Sequence, residues 1–339
     1  MWAYAHADEY ERELADDELE AARNASNLYY VTSPDGIHFT QQPELMRQVN
    51  PDYLKVVRDH RNRRWWLMSR PYGYHNPDAG HMWRRNFALC TTKDFKTWTD
   101  NEMVLVNGPD SDFGRKWEWH GLTPFNYGNM DLGWLDIQDS VYPTGVFELM
   151  SHRDGQPWQR VAPDQYFLDR GGEGTYDRRG GMPLHNEPIQ VGDKLLIYYQ
   201  AGGIPRDDGI SPRTIGVATI GLDRFVALAH GHTKTGEPSG LVVTKPVEVP
   251  ADHLQVNVEA YGIRGGEGRV RVALLDLEAK PIDGYTFDDC QPIAENGVRL
   301  SVRWKDHADL SPFRGQRVML AFNVDTAWIY SYRFANEDE

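Results

Sequence analysis

The sequence predicts an all-β fold, and three observations support this class. A turn motif built on an aspartate recurs through the first two thirds of the chain, its copies 59, 60 and 69 residues apart. Short runs rich in aromatic and β-branched residues flank each copy. Further along, strict alternation of apolar and polar residues sets in. The 31 glycines, 20 prolines and 12% aromatic content suit a chain with many strands and turns.

The recurring motif consists of a strand end, a tight turn and an aromatic residue. Its copies are TSPDGIHF with Asp35, TTKDFKTW with Asp94, SHRDGQPW with Asp154 and the looser TIGLDRFV with Asp223. Aspartate and glycine supply the chemistry of tight turns. A fixed period of this length indicates a repeat architecture. We therefore interpret the four aspartates as turn formers on the outer rim of each repeat, without a catalytic role.

The strands around each turn predict a β-propeller over residues 1–230. Four antiparallel strands about every 60 residues are typical of a propeller blade. Each unit has the strand before the turn and an aromatic strand before that, and three units have a further strand, YLKVVRD, LTPFNYGN and EPIQVGD. The first unit opens directly on MWAYAH. About four blades are therefore present, and either another segment closes the ring or the chain is a fragment of a longer propeller.

The composition and the hydrophobic pattern of the sequence change after residue 230. The stretch GHTKTGEPSG predicts a linker at 231–239, and period-2 runs such as HLQVNVEAYG and RVRVALLDL follow it. Alternating strands over roughly 100 residues predict a β-sandwich at 240–339. This domain is either a sugar-binding module or a structural buttress.

Charge and composition restrict the partners. A formal net charge of −14 argues against nucleic acids and anionic membranes, and favours a neutral substrate or one met by a local basic patch. No apolar run approaches the ~20 residues of a membrane helix. Cys90 and Cys290 are the only cysteines and predict two buried, unpaired thiols. No phosphate loop or zinc spacing is present, so we expect no metal and no cofactor.

The N-terminus has neither the basic start nor the apolar stretch of a signal peptide. As written, the sequence predicts a cytoplasmic protein. Secretion stays open if a longer chain precedes it.

Several motifs together resemble bacterial proteins related to glycoside hydrolase family 32. They are ELMSHRDGQPWQRV, GGEGTYD, GDKLLIYYQAGG, IGVATIGLDRFVAL, LVVTKPVEV and LQVNVEA, in that order. The resemblance implies a five-bladed propeller with a C-terminal β-sandwich and a glycosidase activity. By this comparison the first blade, which carries a catalytic carboxylate in related enzymes, has no counterpart in the sequence.

Glycoside hydrolysis uses two carboxyl groups that flank the scissile bond. Glu187 opens a predicted innermost strand, and its Glu-Pro string resembles the general-acid strand of related propeller glycosidases. The alternative is a strand-edge glutamate in water. Asp52 holds a comparable place one unit after the first and is either a base or a capping residue after Pro51. Asp59 falls in a hairpin turn, where we expect a structural role.

Further candidates lie near aromatic residues and on a glycine-rich loop. Glu118 and His120 stand beside Trp117 and Trp119, which would offer stacking faces to a sugar or simply fill the core. Asp177 lies in GGEGTYDRRGGMPLHNE, and loops on rigid scaffolds collect binding residues. The remaining candidate ligands are basic and would hold an acidic sugar or carry solvated charges: Arg84, Arg85, Arg178, Arg179 and His185.

Three functions remain open at this point. The first is a glycoside hydrolase of the propeller type, with Glu187, Asp52, Asp177 and Glu118 as candidate catalytic acids. The second is a carbohydrate-binding propeller without catalysis, and the third is a scaffold for protein partners. A propeller fold by itself does not choose between them.

Overall fold

The structure is a computed structural model, and it describes most of the chain in thirteen segments. These are residues 2–5, 26–42, 47–49, 53–69, 86–105, 117–139, 144–153, 156–183, 187–202, 213–230, 239–260, 268–305 and 307–336. The chain divides into two compact units, one of residues 1–189 and 197–218 and the other of residues 190–196 and 219–339. Within the described segments the one helical element is a 3-10 turn at Ser311–Phe313. The prediction of an all-β protein is confirmed.

The first sheet is built around β2 (Ser26–Thr32). β1 (Trp2–Ala5) pairs with one edge of β2. β3 (Thr40–Gln41) and β4 (Arg47–Val49) pair with its other edge, at opposite ends. All the pairings are antiparallel.

The second sheet is a simple meander of four strands. β5 (Leu54–Asp59), β6 (Arg64–Ser69), β7 (Phe87–Thr92) and β8 (Glu102–Leu105) pair in chain order. Strand β5 corresponds to the predicted run YLKVVRD, and β6 and β7 are the aromatic strand and the strand before the turn that the repeat predicts. This up-and-down order is the one expected of a propeller blade.

The third sheet repeats that order with longer strands. β9 (Trp117–Tyr127), β10 (Met130–Asp139), β11 (Thr144–His152) and β12 (Gln159–Arg160) again pair as a meander. The β9–β10 register shifts by one residue, so that Asp136 pairs with Gly121 and Ile137 with Trp119. His120 is the extra residue of this β-bulge.

The fourth sheet has β15 (Lys194–Gly202) at its centre. β13 (Gly181–Pro183) and β14 (Ile189–Val191) both pair with β15, as does β16 (Arg213–Gly221). The four antiparallel sheets give residues 1–221 the propeller-like architecture that the repeat predicted.

An apolar core lies between the second and third sheets. Strand β5 alternates between half-buried and buried positions, as a strand packed on one face does. Tyr53 and Phe87 meet Trp119, Leu122 and residues that follow on β10 in one cluster of buried side chains. On the other face of β5, Leu54 and Val56 pack towards Leu28 of the first sheet.

Two of the repeated aspartates are turn formers, as predicted. The carboxylate of Asp35 accepts hydrogen bonds from the backbone amides of Ile37 and His38. Asp94 accepts the equivalent bonds from Lys96 and Thr97, both at 2.8 Å. These backbone donors hold the pKa of Asp94 at about 2. Their shared geometry identifies an Asx-type turn with the same construction in two repeats.

The other two repeated aspartates, Asp154 and Asp223, do not show this turn geometry among the described residues. Asp154 lies outside the described residues. Asp223 has a left-handed backbone, with φ of 62°, and accepts a hydrogen bond from the hydroxyl of Ser331 at 3.1 Å.

The second unit contains two four-stranded antiparallel sheets. In one, β17 (Leu228–His230), β24 (Ala327–Ala335), β20 (His253–Ala260) and β22 (Gly297–Ser301) lie in that order. In the other, β23 (Arg317–Asp325) pairs with β18 (Gly240–Val243), β19 (Val247–Glu248) and β21 (Arg269–Leu275).

The two sheets share one core. Val256 of β20 and Ile329 of β24 bury their side chains in the same cluster as Val272 of β21 and Phe322 of β23. Trp304, with no solvent exposure, donates its indole N–H to the carbonyl of Val272 at 2.8 Å. The predicted β-sandwich is present.

Residues before the predicted linker also belong to this unit. β17 pairs with β24, and the guanidinium of Arg224 contacts the side chains of Asn257 and Glu259 at 3.0 and 3.1 Å. The same guanidinium lies 4.9 Å from the ring centre of Tyr330. The C-terminal unit thus begins upstream of residue 231, where the sequence pattern predicted the linker.

Cys90 and Cys290 are free and buried, as predicted. No helix among the described residues is long and apolar enough to cross a membrane.

Candidate functional site

A cluster of ionisable side chains is buried where β5 and β9 run side by side. Lys55 is 4% exposed and lies on the inward face of β5. Asp136 on β10 is 2% exposed, and its electrostatic interaction with Lys55 favours the charged amine. Lysine and aspartate are almost never fully buried unless they are paired. This pairing therefore marks the cluster as a candidate site.

The bulge in β9 brings a histidine to the same place. His120, the extra residue, has its Nδ1 atom 3.2 Å from Oδ2 of Asp136. Bulges re-aim side chains and are common beside active sites. The His120 ring also lies edge-on to Tyr53, with 6.4 Å between ring centres.

Gly121 permits the close approach of the two sheets at this point. A Cβ atom at this position would overlap the ring of Tyr53. Any side chain larger than hydrogen would push β5 away from β9 and separate Lys55 from Asp136. His120 at the bulge and Gly121 beside it therefore both contribute to the geometry of the cluster.

One carboxylate oxygen of Asp136 is left for another group. Oδ2 faces His120, whereas Oδ1 is buried and has no hydrogen-bond partner among the described residues. An unsatisfied buried acceptor costs about 1–3 kcal/mol. Such a cost is typically retained where a ligand or a reacting group supplies the missing partner.

Burial also changes the proton affinity of the cluster. Desolvation lowers the pKa of Lys55 from its usual 10.5 to about 7, and Asp136 opposes part of that shift. Desolvation raises the pKa of Tyr53 well above its usual 10.0. At neutral pH the amine is therefore able both to hold and to release a proton, while the phenol keeps its proton.

The predicted residues of strand β9 fall into this cluster or next to it. His120 is a member. Trp119 is 5% exposed, lies in the apolar core and has the guanidinium of Arg160 6.0 Å from its ring centre. Glu118 and Trp117 lie on β9 one and two positions earlier than Trp119, and their side chains are outside the described part.

Glu187 lies outside this cluster, near the far end of β5. It is 46% exposed, and Nε2 of His60 is 3.6 Å from its carboxylate. His60 follows the end of β5, whereas Lys55 is near the beginning. At ~3.3 Å per residue, the two ends are roughly 16 Å apart. Asp52, Arg84, Arg85 and His185 lie outside the described residues.

Asp177 belongs to a second polar cluster, centred on Tyr199 of β15. The Tyr199 hydroxyl donates to Oδ2 of Asp177 at 2.9 Å and lies 3.0 Å from the Tyr176 hydroxyl. Burial, followed by these two partners, raises the pKa of Tyr199 above its usual 10.0. Glycines at 181 and 216 flank the ring on both neighbouring strands, because a Cβ at either would overlap it.

The loop that carries Asp177 returns to the end of the third sheet where the first cluster lies. Gly180 bridges Gly145, which pairs with Gln138, and Gln138 pairs with Glu118. Asp136 precedes Gln138 by two residues. Glu118, Asp136 and the loop of Asp177 therefore share one end of this sheet.

The remaining predicted residues have surface or structural environments. Arg178 is exposed and forms an ion pair with Glu173 at 3.4 Å, and Arg179 is half-buried with its backbone amide bonded to Gly202. Asp59 is fully buried and bonded to Asn62 and Arg64, in agreement with a structural role in the hairpin.

Sequence reasoning missed Lys55 and Asp136. Both lie in strands, where one ionisable residue interrupts an apolar or aromatic stretch: Lys55 in YLKVV and Asp136 in LGWLDI. That interruption was the available signal. Among the described residues, no group of three or more His, Cys, Asp or Glu side chains is placed to hold a metal ion.

These features define a class: an all-β protein with propeller-like sheets, a β-sandwich and a buried lysine–aspartate–histidine cluster. No family model and no curated protein matches the chain. Solved structures do match it, at low identity. The β-fructofuranosidase of glycoside hydrolase family 32 from Bombyx mori is 12% identical, with a TM-score of 0.38, over 92% of this chain and 73% of that one.

Two further matches are enzymes of other kinds. The β-1,2-mannobiose phosphorylase of Listeria innocua is 17% identical, with a TM-score of 0.40, over 58% of this chain and 50% of that one. The N-acetylgalactosamine deacetylase of F. plautii is 16% identical, with a TM-score of 0.38, over 65% and 61%. The chain thus spans about half to three fifths of the length of these two proteins.

Proposed function

We propose that this protein is a glycoside hydrolase whose reacting carboxylate is Asp136. The observation that carries the proposal is the Asp136 carboxylate itself, buried between His120 and Lys55 with one oxygen lacking a partner among the described residues. Burial away from water strengthens every charge interaction of this carboxylate. A carboxylate there would stabilise the positive charge that develops on a sugar ring in the transition state.

The neighbours of Asp136 have distinct roles in this proposal. His120 orients the carboxylate through Oδ2 and leaves Oδ1 towards the substrate. The Lys55 amine, with its pKa near 7, balances the carboxylate charge in the free protein. Tyr53, neutral at physiological pH, packs edge-on against the His120 ring and helps to bury the cluster. Each role follows from burial and contact rather than from residue type alone.

The second carboxyl group has to lie within about 10 Å of the first. Glu118 is our first candidate, because it precedes the bulge by two residues and pairs with Gln138 beside Asp136. Asp52, directly before the β5 segment, is the second. Glu187 stays a predicted acid, but at roughly 16 Å along β5 it would need a different partner.

The proposal is tested by measuring hydrolysis of aryl glycosides and natural oligosaccharides by the wild type and variants. Asp136→Asn keeps the shape of the side chain and removes its charge. We expect turnover to fall by about 10²–10⁴-fold on both substrate types. Glu118→Gln, if Glu118 is the acid, should impair natural substrates far more than aryl glycosides, whose leaving groups need no proton.

Glu278→Gln is the matched control, since Glu278 is 73% exposed and lies in the C-terminal unit. Unchanged turnover in a folded Asp136→Asn protein would contradict the assignment. Saturable binding of an oligosaccharide without hydrolysis of any tested substrate would instead support the carbohydrate-binding function that the sequence left open.

A further inference from the structure

A cavity lies in the N-terminal unit, between the second and third sheets. It has a volume of about 440 Å³ and is lined by described residues from β6, β7, β8 and the two ends of the β10–β11 hairpin. Small-ligand sites commonly enclose about 300–1,000 Å³. Asp131, at its wall, is five residues from Asp136 along β10. At ~3.4 Å per residue the cavity and the Asp136 cluster are therefore roughly 17 Å apart.

An aspartate–histidine pair forms the polar wall of this cavity. Asp131 is 2% exposed, and its Oδ1 accepts from Nη1 of Arg61 at 2.5 Å and from Nδ2 of Asn126 at 2.8 Å. Its Oδ2 lies 3.0 Å from Nδ1 of His152. These three contacts use the carboxylate fully and fix the imidazole ring.

His152 lines the cavity, and its other ring nitrogen is not used in the contact with Asp131. Nδ1 is turned towards the buried carboxylate, while 22% of the His152 side chain stays accessible. With Nδ1–H donated to Asp131, Nε2 is an acceptor for a ligand hydroxyl. The ring of Trp158 stacks on His152 with a 17° interplanar angle and 5.0 Å between centres, which holds the imidazole plane.

The remaining lining is apolar on one side and charged on the other. Trp158, Leu89 and Val104 supply the apolar wall. Arg64, 35% exposed and bonded to Asp59 only through Nε, and the exposed Glu102 supply a donor and an acceptor. Opposite charges at the rim do not favour a charged ligand of either sign.

We propose that this cavity binds a small neutral polyhydroxylated ligand of monosaccharide size. A sugar ring has apolar C–H faces and a rim of hydroxyl groups that both donate and accept. The cavity offers a matching apolar wall, the acceptors His152 and Glu102, and the donor Arg64. The site is distinct from the Asp136 cluster and does not depend on glycoside hydrolysis.

The test is titration of the full chain with glucose, galactose and mannose, followed by isothermal titration calorimetry and saturation-transfer NMR. Val104→Trp fills the cavity, and His152→Phe removes the acceptor while preserving the stack on Trp158. We expect each to weaken binding of the preferred sugar at least about tenfold, as expected from a lost hydrogen bond or a blocked site.

Val243→Trp, at a 45% exposed position of the C-terminal unit, is the matched control for an added indole. If Val104→Trp does not fold by its thermal melting curve, His152→Phe decides alone. Absence of sugar binding by the wild type would overturn the proposal. So would binding that survives both cavity variants.

Discussion

At the scale of single residues, the most informative group is a lysine. Lys55 occupies a position where the strand pattern calls for an apolar side chain, and it is almost completely buried. Burial disfavours the charged amine, which lowers its pKa to about 7. Asp136 interacts with the amine electrostatically, and the Tyr53 ring centre lies 5.4 Å from its Nζ atom. A lysine kept in this position at such a cost indicates a role beyond packing.

The stability of the protein should therefore depend on pH through Lys55. Between about pH 7 and its usual pKa of 10.5 the unfolded chain binds a proton at Lys55 that the folded chain has released. Stability then rises with pH in this window, by at most about 1.4 kcal/mol per unit from this group. Urea unfolding at pH 7.5, 8.5 and 9.5 should show this rise in the wild type.

Lys55→Met should remove the rise, because methionine carries no proton to exchange. Lys280→Met is the comparison, since Lys280 is 71% exposed and forms an ion pair only at the surface. Equal pH slopes in the wild type and in Lys55→Met would show that the amine is not desolvated in solution.

At the scale of elements, the fourth sheet shows how one side chain fixes a loop. Tyr199 lies on the central strand β15, and the two flanking glycines leave room for its ring. Its hydroxyl reaches Asp177 and Tyr176 in the segment 171–180. The loop is further closed on itself, since the backbone amides of Gly171 and Gly180 both donate to the carbonyl of Asp177.

Tyr199→Phe should loosen this loop without unfolding the sheet. The ring still fills its slot, but Asp177 and Tyr176 lose their shared partner, which costs about 1–2 kcal/mol. Hydrogen–deuterium exchange of the segment 171–180 should accelerate by roughly 5–30-fold, the factor that corresponds to that cost. Mass spectrometry of peptic peptides measures this directly.

Tyr198→Phe provides the control from the adjacent position, whose side chain points to the opposite face of β15. Its effect on the loop should be small. Equal acceleration in both variants would mean that the Tyr199 hydroxyl does not hold the loop.

At the scale of the whole molecule, the extent of the C-terminal unit matters most. β17 covers one edge of β24, and Arg224 contacts Asn257, Glu259 and the Tyr330 ring. Asn257 is fully buried and also donates to the carbonyl of Leu222 at 2.6 Å. Removing the segment before residue 231 would leave these polar groups unsatisfied and expose a strand edge.

A fragment of residues 219–336 should therefore be more stable than a fragment of residues 240–336. For a domain of this size we expect thermal unfolding to differ by at least about 5 °C, as a loss of 1 kcal/mol or more predicts. Arg224→Ala in the longer fragment should account for part of the difference. Identical melting temperatures for the two fragments would show that β17 and Arg224 add nothing to the unit.

Much of this architecture follows from sequence pattern alone. Strands β5, β6 and β7 match the predicted strands closely, since alternation and aromatic content are local properties that pairing does not change. The turns at Asp35 and Asp94 were equally predictable, because an aspartate binds backbone amides two and three residues ahead whatever the fold around it. The β-sandwich was predicted by the period-2 pattern after residue 240.

The candidate site depended on tertiary structure. The sequence by itself determined the all-β class, the repeat of about 60 residues, two of its turns and His120 as a residue of interest. Only the fold decided that His120 is a bulge residue, that Gly121 admits the Tyr53 ring, and that Lys55 and Asp136 are buried together. Packing of the second sheet on the third brings together residues about 80 positions apart, and burial sets the proton affinity of the groups it encloses. Neither contact nor desolvation is encoded in the local pattern of the chain.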